Sequence, residues 1–352
     1  MEKALIAMSG GVDSSVSAYI IKSQGYDCIG VTMRLYDGEE QVAEKSCCSA
    51  DDVEDAKSVA RKIGIEHHTF NFKSDFEKQV IDRFVASYEN GATPNPCIEC
   101  NRHLKFSALF ERAKALGCDY IVTGHYARIK KSGDKFLLCR AEDKDKDQSY
   151  VLYSLTQKEL AHTLFPLGEL TKAQTREIAE SQGFYNADKP DSQDICFIPD
   201  GDYAAFIRRR TGKEYPTGDF VDTNGNVLGR HRGIINYTIG QRKGLGIALG
   251  EPAYVKDIDV KNNRVVLCKN EELFESELYA KDFNWISGEV PQGEVSCMAA
   301  VRYRGALKPA VARVIDGNTV HIKFSSPQRT ITRGQSVVLY DGDIVLGGGT
   351  II

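Results

Sequence analysis

Short apolar runs alternate with longer amphipathic stretches over the first third of the chain. Ala4–Ala7 is apolar and strand-like, and further along Val16, Ile20 and Ile21 recur at a helical spacing that ends near Gly25. The alternation of the two patterns continues to about residue 130. Strands that alternate with helices predict a parallel sheet that is covered by helices on both faces.

The spacing of apolar residues also gives the individual elements. Ile29, Val31 and Met33 alternate as in a strand, whereas Val53 and Ala56 recur on one face of a helix. Between these two elements, Tyr36–Ser49 is polar and is predicted to be a mobile insertion. The predicted strands are Asp27–Arg34, His67–Asn71 and Tyr120–Thr123, and the predicted helices are Asp51–Ile63, Phe76–Tyr88, Arg102–Leu116 and Thr171–Gln182.

The pattern changes near Gly201, where short β-type runs replace the long helices. Asp202–Arg210 is a last short helix, and Thr223–Asn226 and Lys261–Asn263 have the composition of hairpin turns. From about Leu278 the alternating segments predict a small barrel. The predicted strands are Phe220–Asp222, Val227–Arg230, Ala253–Asp259, Arg264–Cys268, Ser296–Arg304, Ala310–Ile315, Thr319–Phe324 and Ser336–Tyr340.

These patterns predict an α/β chain of three domains, which suits a length of 352 residues. An N-terminal doubly wound parallel sheet is expected over residues 1–200, a small central β domain over residues 201–275, and a C-terminal β-barrel over residues 276–352. Composition adds constraints on location. The ten cysteines, without a secretory signal, indicate a reducing cytoplasmic environment, and no apolar run reaches membrane-spanning length. The net charge of -4 means that a nucleic-acid site would have to be a local basic surface.

Two stretches carry candidate chemistry. Met8–Ser15 (MSGGVDSS) joins the first strand to the first helix, so its backbone N–H groups and the helix N-terminus predict a phosphate-binding turn, with Asp13 orienting a metal ion or the phosphates. No lysine follows the glycines, which excludes the loop type that holds a γ-phosphate. In Thr93–Asn101, two prolines predict an extended loop, and Cys100 is expected just before a helix whose dipole favours the thiolate.

Ser9–Ser14 resembles the pyrophosphate loop (PP-loop) of ATP pyrophosphatases, which cleave ATP between the α- and β-phosphates. Three further stretches narrow this resemblance: Thr93–Asn101 (TPNPCIECN), Thr123–Ala127 (TGHYA) and Asp191–Ile198 (DSQDICFI). In combination they are similar to the tRNA-specific 2-thiouridylase family over nearly the whole chain. The resemblance implies an adenine nucleotide hydrolase-like N-terminal domain and ATP-dependent 2-thiolation of the wobble uridine of tRNA, with Mg²⁺ as the metal that accompanies ATP.

The resemblance also assigns residues to roles. It implies that ATP contacts Ala7, Met8, Ser9, Gly10, Gly11, Val12, Asp13, Ser14, Met33 and Gly124. It implies that the tRNA or its target base contacts Asn95, Pro96, Cys97, His125, Lys146, Asp147, Gln148, Tyr303, Arg304 and Gln335. Arg302 and Arg304 flank Tyr303, a combination that suits phosphate contacts and stacking on an unpaired base. No residue is assigned to a resident metal site.

The sulfur chemistry rests on cysteines. The resemblance assigns a persulfide to Cys196 and a partner thiol to Cys100, and it implies a persulfide-carrying donor protein. Many family members have Asp at position 97, a candidate base, whereas this chain has Cys97, which leaves water or His125 as the base. Three thiols also raise two alternatives, an iron–sulfur cluster that carries the sulfur and a zinc site. We rank persulfide chemistry first and the cluster second.

Other interpretations stay open at this point. A different PP-loop ATP pyrophosphatase, such as an amide or amino-acid ligase, would not require the paired cysteines. A tRNA-binding protein without catalysis would be expected to lose Asp13 or a cysteine, and this chain keeps both. The adjacent Cys47 and Cys48 are interpreted as incidental rather than as a metal site. We expect a monomer that is not associated with membranes.

Overall fold

The computed structural model describes residues 1–36, 50–190 and 195–352. The remainder of the predicted insertion after Tyr36, including Cys47 and Cys48, lies outside the described residues, as do the first four residues of the Asp191–Ile198 stretch. Within the part that is described, no helix is both long enough and apolar enough to cross a membrane.

Strands and helices follow one another along the chain with these bounds. The strands are β1 Lys3–Ala7, β2 Asp27–Arg34, β3 Glu66–Asn71, β4 Tyr120–Val122, β5 Ala127–Ser132, β6 Lys135–Arg140, β7 Thr163–Leu164, β8 Gly218–Val221, β9 Val227–His231, β10 Tyr254–Asp259, β11 Arg264–Cys268, β12 Phe274–Trp285, β13 Glu294–Ala300, β14 Lys308–Val314, β15 Val320–Arg329, β16 Ser336–Asp341 and β17 Ile344–Ile351. The helices are α1 Val12–Ser23, α2 Ala50–Ile63, α3 (Lys73–Phe76, then a π-helical stretch Glu77–Ile81, then Asp82–Glu89), α4 (Pro96–Glu99, then a π-helical stretch Cys100–Ala108, then Leu109–Ala115), α5 Gln157–Ala161, α6 Lys172–Ser181 and α7 Tyr203–Thr211. Single 3₁₀ turns occupy Ser149–Leu152, Ile234–Asn236 and Asn270–Leu273.

The first domain contains a five-stranded parallel sheet in the order β3-β2-β1-β4-β7. Side chains of β1 alternate between the two faces, since Leu5 belongs to one apolar core and Ile6 to the other. The core around Ile6 is completed by α1, α2 and α6, and the core around Leu5 by α3 and α4. The predicted parallel sheet with helices on both faces is confirmed.

Helix α4 corrects one prediction from the sequence. The two prolines predict an extended loop through Asn101, but the helix begins at Pro96, because a proline at the first helical position loses no hydrogen bond. Asn95 caps this helix, and its side-chain oxygen accepts the N–H of Cys97 at 3.1 Å. Cys100 therefore lies inside the second turn, where the helix dipole acts less strongly than at the first turn.

The central domain is a four-stranded sheet in the order β10-β11-β8-β9, preceded by α7. Asp202 caps α7 by accepting the N–H of Ala205 at 2.8 Å. Phe206 of α7 and Phe220 of β8 belong to the same apolar core as α3. The small β domain is thus confirmed, and its core is continuous with one face of the first domain.

The C-terminal domain is a closed six-stranded barrel, as the sequence predicts, because β12 pairs with both β15 and β17. The sequence does not predict β12 or β17, and β17 contains the glycines Gly347–Gly349, which usually weaken a strand. Here they permit close approach, since a Cβ at Gly348 would lie 2.7 Å from the ring of Tyr153 and one at Gly349 would lie 2.8 Å from the carbonyl oxygen of Lys281.

The barrel sheet does not end at its own last strand. The hairpin β5–β6 of the first domain adds to it, because β6 pairs with β17 through Cys139 and Ile344. A shared apolar core lies beneath this junction and includes Leu138 from the hairpin and Val345 from the barrel. The first and third domains are therefore joined by a common sheet.

Candidate active site

The turn between β1 and α1 is held by its own side chains. The hydroxyl of Ser14 accepts the N–H of Ser9 at 3.1 Å and donates to the carbonyl oxygen of Gly11 at 3.0 Å. Gly10 has φ +76, and a Cβ there would collide with the backbone of Asp52. This position therefore requires glycine, both for its conformation and for its packing against α2. Contacts within the protein therefore define the shape of the turn.

The other predicted nucleotide residues reach the same edge of the sheet. Gly124 follows β4, and a Cβ there would lie 2.9 Å from the N atom of Ser14. Met33 is buried next to the carboxyl end of β2, which is the neighbour of β1 on its other side. The strands β2 and β3 lie on one side of β1, and β4 and β7 lie on the other, so the strand order reverses beside β1. Open α/β sheets bind ligands at the carboxyl ends of the strands at such a reversal. The structure brings the turn, Gly124 and Met33 to one edge.

Asp13 is engaged by two residues that the sequence analysis missed. Oδ1 of Asp13 lies 2.7 Å from the ammonium of Lys172 at the start of α6 and 2.9 Å from the hydroxyl of Tyr126, which donates to it. Oδ2 of Asp13 has no hydrogen-bond partner within the described ranges. Because Mg²⁺ binds through one or two carboxylate oxygens together with substrate phosphates, Asp13 fits the ion. Tyr126 belongs to the TGHYA stretch, so that motif could have identified it as a site residue. Lys172 is marked in the sequence only by the Thr helix cap before it, which does not indicate a contact with Asp13.

Asn186 also contacts the turn. The sequence analysis missed this residue, because no local sequence pattern predicts the contact. Its side-chain amide donates to the carbonyl oxygen of Gly10 at 2.9 Å and to the hydroxyl of Ser15 at 3.0 Å. The residue is 3 % exposed. The turn is thereby tied to the chain segment that leads into the third motif.

His125 follows Gly124 and lies in an aromatic environment. Its Nδ1 atom is 2.7 Å from the hydroxyl of Thr123, and its ring is 6.0 Å from that of Phe106 and 5.9 Å from that of Phe165. Burial, with a smaller contribution from Lys105, lowers the pKa of His125 well below its ordinary value. The imidazole is therefore neutral near pH 7 and is a weak proton acceptor.

The cysteines differ in exposure. Cys97 is exposed, whereas Cys100, one helical turn later in α4, is a buried member of the core on the α3–α4 face of the sheet. Cys196 is half-buried and packs against that same core. Among the residues that the structure describes, no three His, Cys, Asp or Glu side chains converge as metal ligands.

A barrel loop braces the segment in front of these cysteines. The N–H of Thr93 donates to the carbonyl oxygen of Arg333 at 2.8 Å, and the side chain of Gln335 donates to the carbonyl oxygen of Thr93 at 2.8 Å. Arg333 also donates to Asp257 of the central domain at 2.6 Å. All three domains therefore meet in front of α4, and Gln335 contacts Thr93, three residues before the helix begins.

The Lys146–Gln148 segment is held within the protein. The carboxylate of Asp147 accepts hydrogen bonds from Arg140, from the Ala141 N–H and from both the N–H and the hydroxyl of Ser149. Gln148 pairs with the backbone of Tyr126 in both directions, at 2.9 and 2.8 Å. The structure gives Asp147 and Gln148 a role in fixing the loop next to the TGHYA stretch.

The aromatic and basic residues of the barrel lie in a turn, which corrects another prediction. The strand predicted over Ser296–Arg304 ends at Ala300, and Arg304 has φ +57, so Arg302, Tyr303 and Arg304 follow the strand and are not part of it. The guanidinium of Arg304 lies 5.4 Å from the centre of the Tyr303 ring. Burial raises the pKa of Tyr303, and the positive charge of Arg304 opposes this. The Tyr303 ring lies 6.0 Å from that of Tyr150 and packs against the apolar core that contains Ile98 of α4.

The predicted residues thus form two groups. The first group surrounds the turn at the carboxyl ends of the parallel strands. The second group, which includes Asn95 and Tyr303, lies where the barrel meets α4. His125 directly follows Gly124 of the first group, and its ring lies 6.0 Å from that of Phe106 on α4. This arrangement can hold a triphosphate at one end and present thiols and aromatic side chains at the other.

Comparisons with known proteins agree with this architecture. Residues 2–200 match the family model described as tRNA methyl transferase HUP domain, residues 204–269 the tRNA methyl transferase PRC-barrel domain, and residues 275–351 the aminomethyltransferase beta-barrel domain. Together these three models cover nearly the whole chain.

Full-length relatives are also similar to this chain. A protein of Clostridioides difficile (strain 630), named tRNA-specific 2-thiouridylase MnmA, is 51% identical over 99% of this chain and 98% of its own length. A protein of the same name from Clostridium acetobutylicum is 49% identical over 99% of both chains. Among solved structures, a 4-thiouridine synthetase–RNA complex with bound ATP matches 60% of this chain and 50% of its own at 20% identity and a TM-score of 0.37, which is too low to establish a shared fold.

Proposed function

The chain belongs to the tRNA-specific 2-thiouridylase family, and we propose that it replaces the C2 oxygen of the wobble uridine in tRNA by sulfur, with ATP as the activating substrate. The observation that carries this proposal is the pairing of the turn at Ser9–Ser14 with the thiols of Cys100 and Cys196 in one domain. A ligase of the same superfamily would need the turn but not the thiols.

The first chemical step activates an unreactive carbonyl. The uridine O2 attacks the α-phosphorus of ATP, the N3 proton passes to water, and pyrophosphate leaves. Because His125 is neutral, buried and a weak base, we propose water rather than His125 as the proton acceptor. The N–H groups of the turn and Asp13 hold the phosphates, and Mg²⁺ bound at Asp13 would neutralise charge on the departing pyrophosphate.

The second step delivers sulfur. We propose that a donor protein loads Cys196 as a persulfide, whose terminal sulfur attacks C2 while the C2–O bond breaks and AMP leaves. The Cys100 thiolate then attacks the inner sulfur, the S–S bond breaks, and the electron pair stays on the new thiouridine sulfur. Alternatively, Cys100 attacks first and releases sulfide, which then attacks C2. Both routes end in a Cys100–Cys196 disulfide, which a dithiol reductant reopens with two electrons.

The tRNA contacts follow from the second group of residues. Tyr303 packs against the apolar core that includes Ile98 of α4, and Arg304 lies beside its ring, which supports a role for this pair in holding the target base and its phosphates. Asn95, Pro96 and Cys97 form the start of α4, with Gln335 braced against Thr93 in front of them. We propose that the target base enters between this end of α4 and Tyr303, and that the protein acts as a cytoplasmic monomer.

Cysteine variants test the sulfur route. Cys100→Ser and Cys196→Ser should each abolish 2-thiouridine, as measured by mass spectrometry of tRNA nucleosides, but should retain pyrophosphate release, because the turn that holds ATP contains no thiol. Cys97→Asp should stay active. Cys297→Ser, which changes a half-buried barrel cysteine, is the matched control.

The iron–sulfur alternative has its own test. Metal-free enzyme, assayed without oxygen and with a persulfide donor, should give full thiolation. Activity that requires reconstituted iron and sulfide, and that Cys97→Asp removes together with visible absorbance, would instead establish the cluster.

A further inference from the structure

Thr123 and His125 form a buried pair at the end of β4, with Gly124 between them in the chain. Thr123 directly follows the strand, and its N–H donates to the carbonyl oxygen of Leu164 on β7 at 3.4 Å. Because threonine is branched at Cβ, few rotamers are open to its side chain. The parallel sheet therefore holds the Thr123 hydroxyl in place, 2.7 Å from Nδ1 of His125.

The hydrogen bond within this pair decides which imidazole nitrogen carries the proton. In the described part of the chain, Nδ1 of His125 is the hydrogen-bond partner of the Thr123 hydroxyl. If Nδ1 carried the proton, it would donate to the hydroxyl, whose own hydrogen would then be buried without an acceptor. If Nδ1 carries none, the hydroxyl donates to it and its hydrogen is satisfied. Because an unsatisfied buried donor costs free energy, the second arrangement is the stable one.

The proton of the imidazole is therefore on Nε2. Burial, with a smaller contribution from Lys105, keeps the pKa of His125 well below its ordinary value, so the ring does not take up a second proton near pH 7. The aromatic neighbours of the ring, Phe106 and Phe165, have no oxygen or nitrogen in their side chains. Within the described ranges, Nε2 of His125 has no hydrogen-bond partner, and it is the atom left to contact a ligand.

His125 lies next to residues proposed for ATP and to the helix proposed for the base. Gly124, which precedes it, packs so closely against the turn that a Cβ would lie 2.9 Å from the N atom of Ser14. The ring of His125 is 6.0 Å from that of Phe106 on α4, the helix that begins with Pro96. An N–H donor at this position lies where an activated base and the nucleotide would meet.

We propose that Thr123 is a positioning residue that holds His125 in its Nε2–H form, and that this N–H donates a hydrogen bond to a carbonyl oxygen of the bound uridine. This rests on the proposed function. Loss of the N3 proton places negative charge on the oxygens of the uracil ring, and a neutral imidazole donor stabilises such charge without giving up its own proton. In this form Nε2 cannot accept the N3 proton, which agrees with water as the acceptor.

Nitrogen NMR of enzyme with isotopically labelled histidine tests the tautomer. Native enzyme near pH 7 should show an unprotonated Nδ1 and a protonated Nε2 for His125, with His125→Gln used to assign the signals. Thr123→Val keeps the shape of the side chain and removes the hydroxyl, so its signals should be averages over two tautomers, whereas Thr123→Ser should keep one tautomer. Thr163→Val, which removes a buried hydroxyl on β7, is the matched control and should leave the signals of His125 unchanged.

Kinetics with tRNA test the donor role. His125→Met removes the donor and should lower kcat/KM for tRNA in pyrophosphate release by roughly 10- to 100-fold, as for a hydrogen bond to an oxygen that gains charge. His125→Gln keeps an N–H group at a similar reach and should lose less. Thr123→Val should lose activity, but less than His125→Met, and Thr123→Ser should lose less than Thr123→Val. The Kd of a non-hydrolysable ATP analogue, measured without tRNA, should be unchanged in His125→Met.

Several results would overturn the proposal. A protonated Nδ1 in native enzyme, or an unchanged tautomer in Thr123→Val, refutes the role of Thr123, and the native spectrum decides even where a variant does not fold. Equal losses in His125→Gln and His125→Met refute the donor role, as does an acid limb in the pH profile of kcat/KM that only His125 variants lack. Weaker binding of the ATP analogue in His125→Met places the acceptor on the nucleotide and refutes the contact with uridine. Because NMR requires no turnover, native enzyme that has the expected tautomer but makes no 2-thiouridine overturns the proposed function instead.

Discussion

Removal of the charge on Lys172 tests how the phosphate-binding turn controls Asp13. The ammonium of Lys172 lies 2.7 Å from Oδ1 of Asp13, and the exposed fractions of the two side chains are 11% and 33%. Lys172→Met keeps the apolar stem of the side chain and removes only the charged end. Asp13 then faces the triphosphate without the positive charge of Lys172.

The geometry gives the size of the effect. A hydrogen bond to a charged group contributes about 1.5–3 kcal/mol, and the partial exposure of Asp13 favours the lower end, about 1.5–2 kcal/mol. At about 1.4 kcal/mol per tenfold change, kcat/KM for ATP should fall by roughly 10- to 30-fold. Lys172→Arg, which keeps the charge, should fall less.

Pyrophosphate release with tRNA as the acceptor is the assay. Lys57→Met, which removes an exposed lysine 3.9 Å from Glu54 on α2, is the matched control and should be neutral. Because Lys172 acts through Asp13, the double variant Lys172→Met with Asp13→Asn should be no worse than Asp13→Asn alone. An unchanged kcat/KM in Lys172→Met would refute the reasoning, and additive losses in the double variant would show that Lys172 acts on the nucleotide independently of Asp13.

Two further predictions concern tRNA binding and acid stability. Replacing Arg302 and Arg304 with Ala should weaken tRNA binding and reduce the log–log salt slope by about 0.7–0.9 per lost phosphate contact, with ATP affinity unchanged; an unaltered slope in filter binding would place the RNA surface elsewhere. Burial lowers the pKa of His67 to about 4. The unfolded chain therefore binds more protons, so stability is complete above pH 6.5 or so and falls as the pH drops toward 4. The urea midpoint of unfolding should therefore change less between pH 7 and pH 5 in His67→Gln than in the native protein. An equal change in both proteins contradicts this prediction.

Local patterns were sufficient for the first elements of the N-terminal domain. The spacing of apolar residues predicts the bounds of β2 without error and those of α2 within one residue. Each of these elements buries one or both of its faces, and the buried positions are apolar in the sequence. The turn at Ser9–Ser14 could likewise be recognised, since two glycines and several hydroxyl groups in one strand–helix connection have few structural uses other than anion binding.

Long-range contacts were the part that sequence reasoning could not reach. The glycines of β17 look unlike a strand, and only the nearby ring of Tyr153 and carbonyl oxygen of Lys281 explain them. Lys172 and Asn186 have ordinary surroundings in the sequence, and they become part of the site only when α6 and the segment around Asn186 pack against the turn and α1. Pro96 was misread for a different reason: the prohibition of proline in helices does not extend to the first turn.

The shared sheet of the first and third domains has a consequence for synthesis of the chain. Cys139 and Ile344, which join β6 to β17, are 205 positions apart. At about 5–20 residues per second, a ribosome needs roughly 10–40 s to make the intervening chain. For that interval β6, with Phe136, Leu137 and Leu138, lacks the strand that covers its edge, and open edges of this kind template aggregation. The last eight-residue strand therefore completes two domains at once, and a chain that ends before Ile344 leaves both the barrel and the hairpin of the nucleotide domain open.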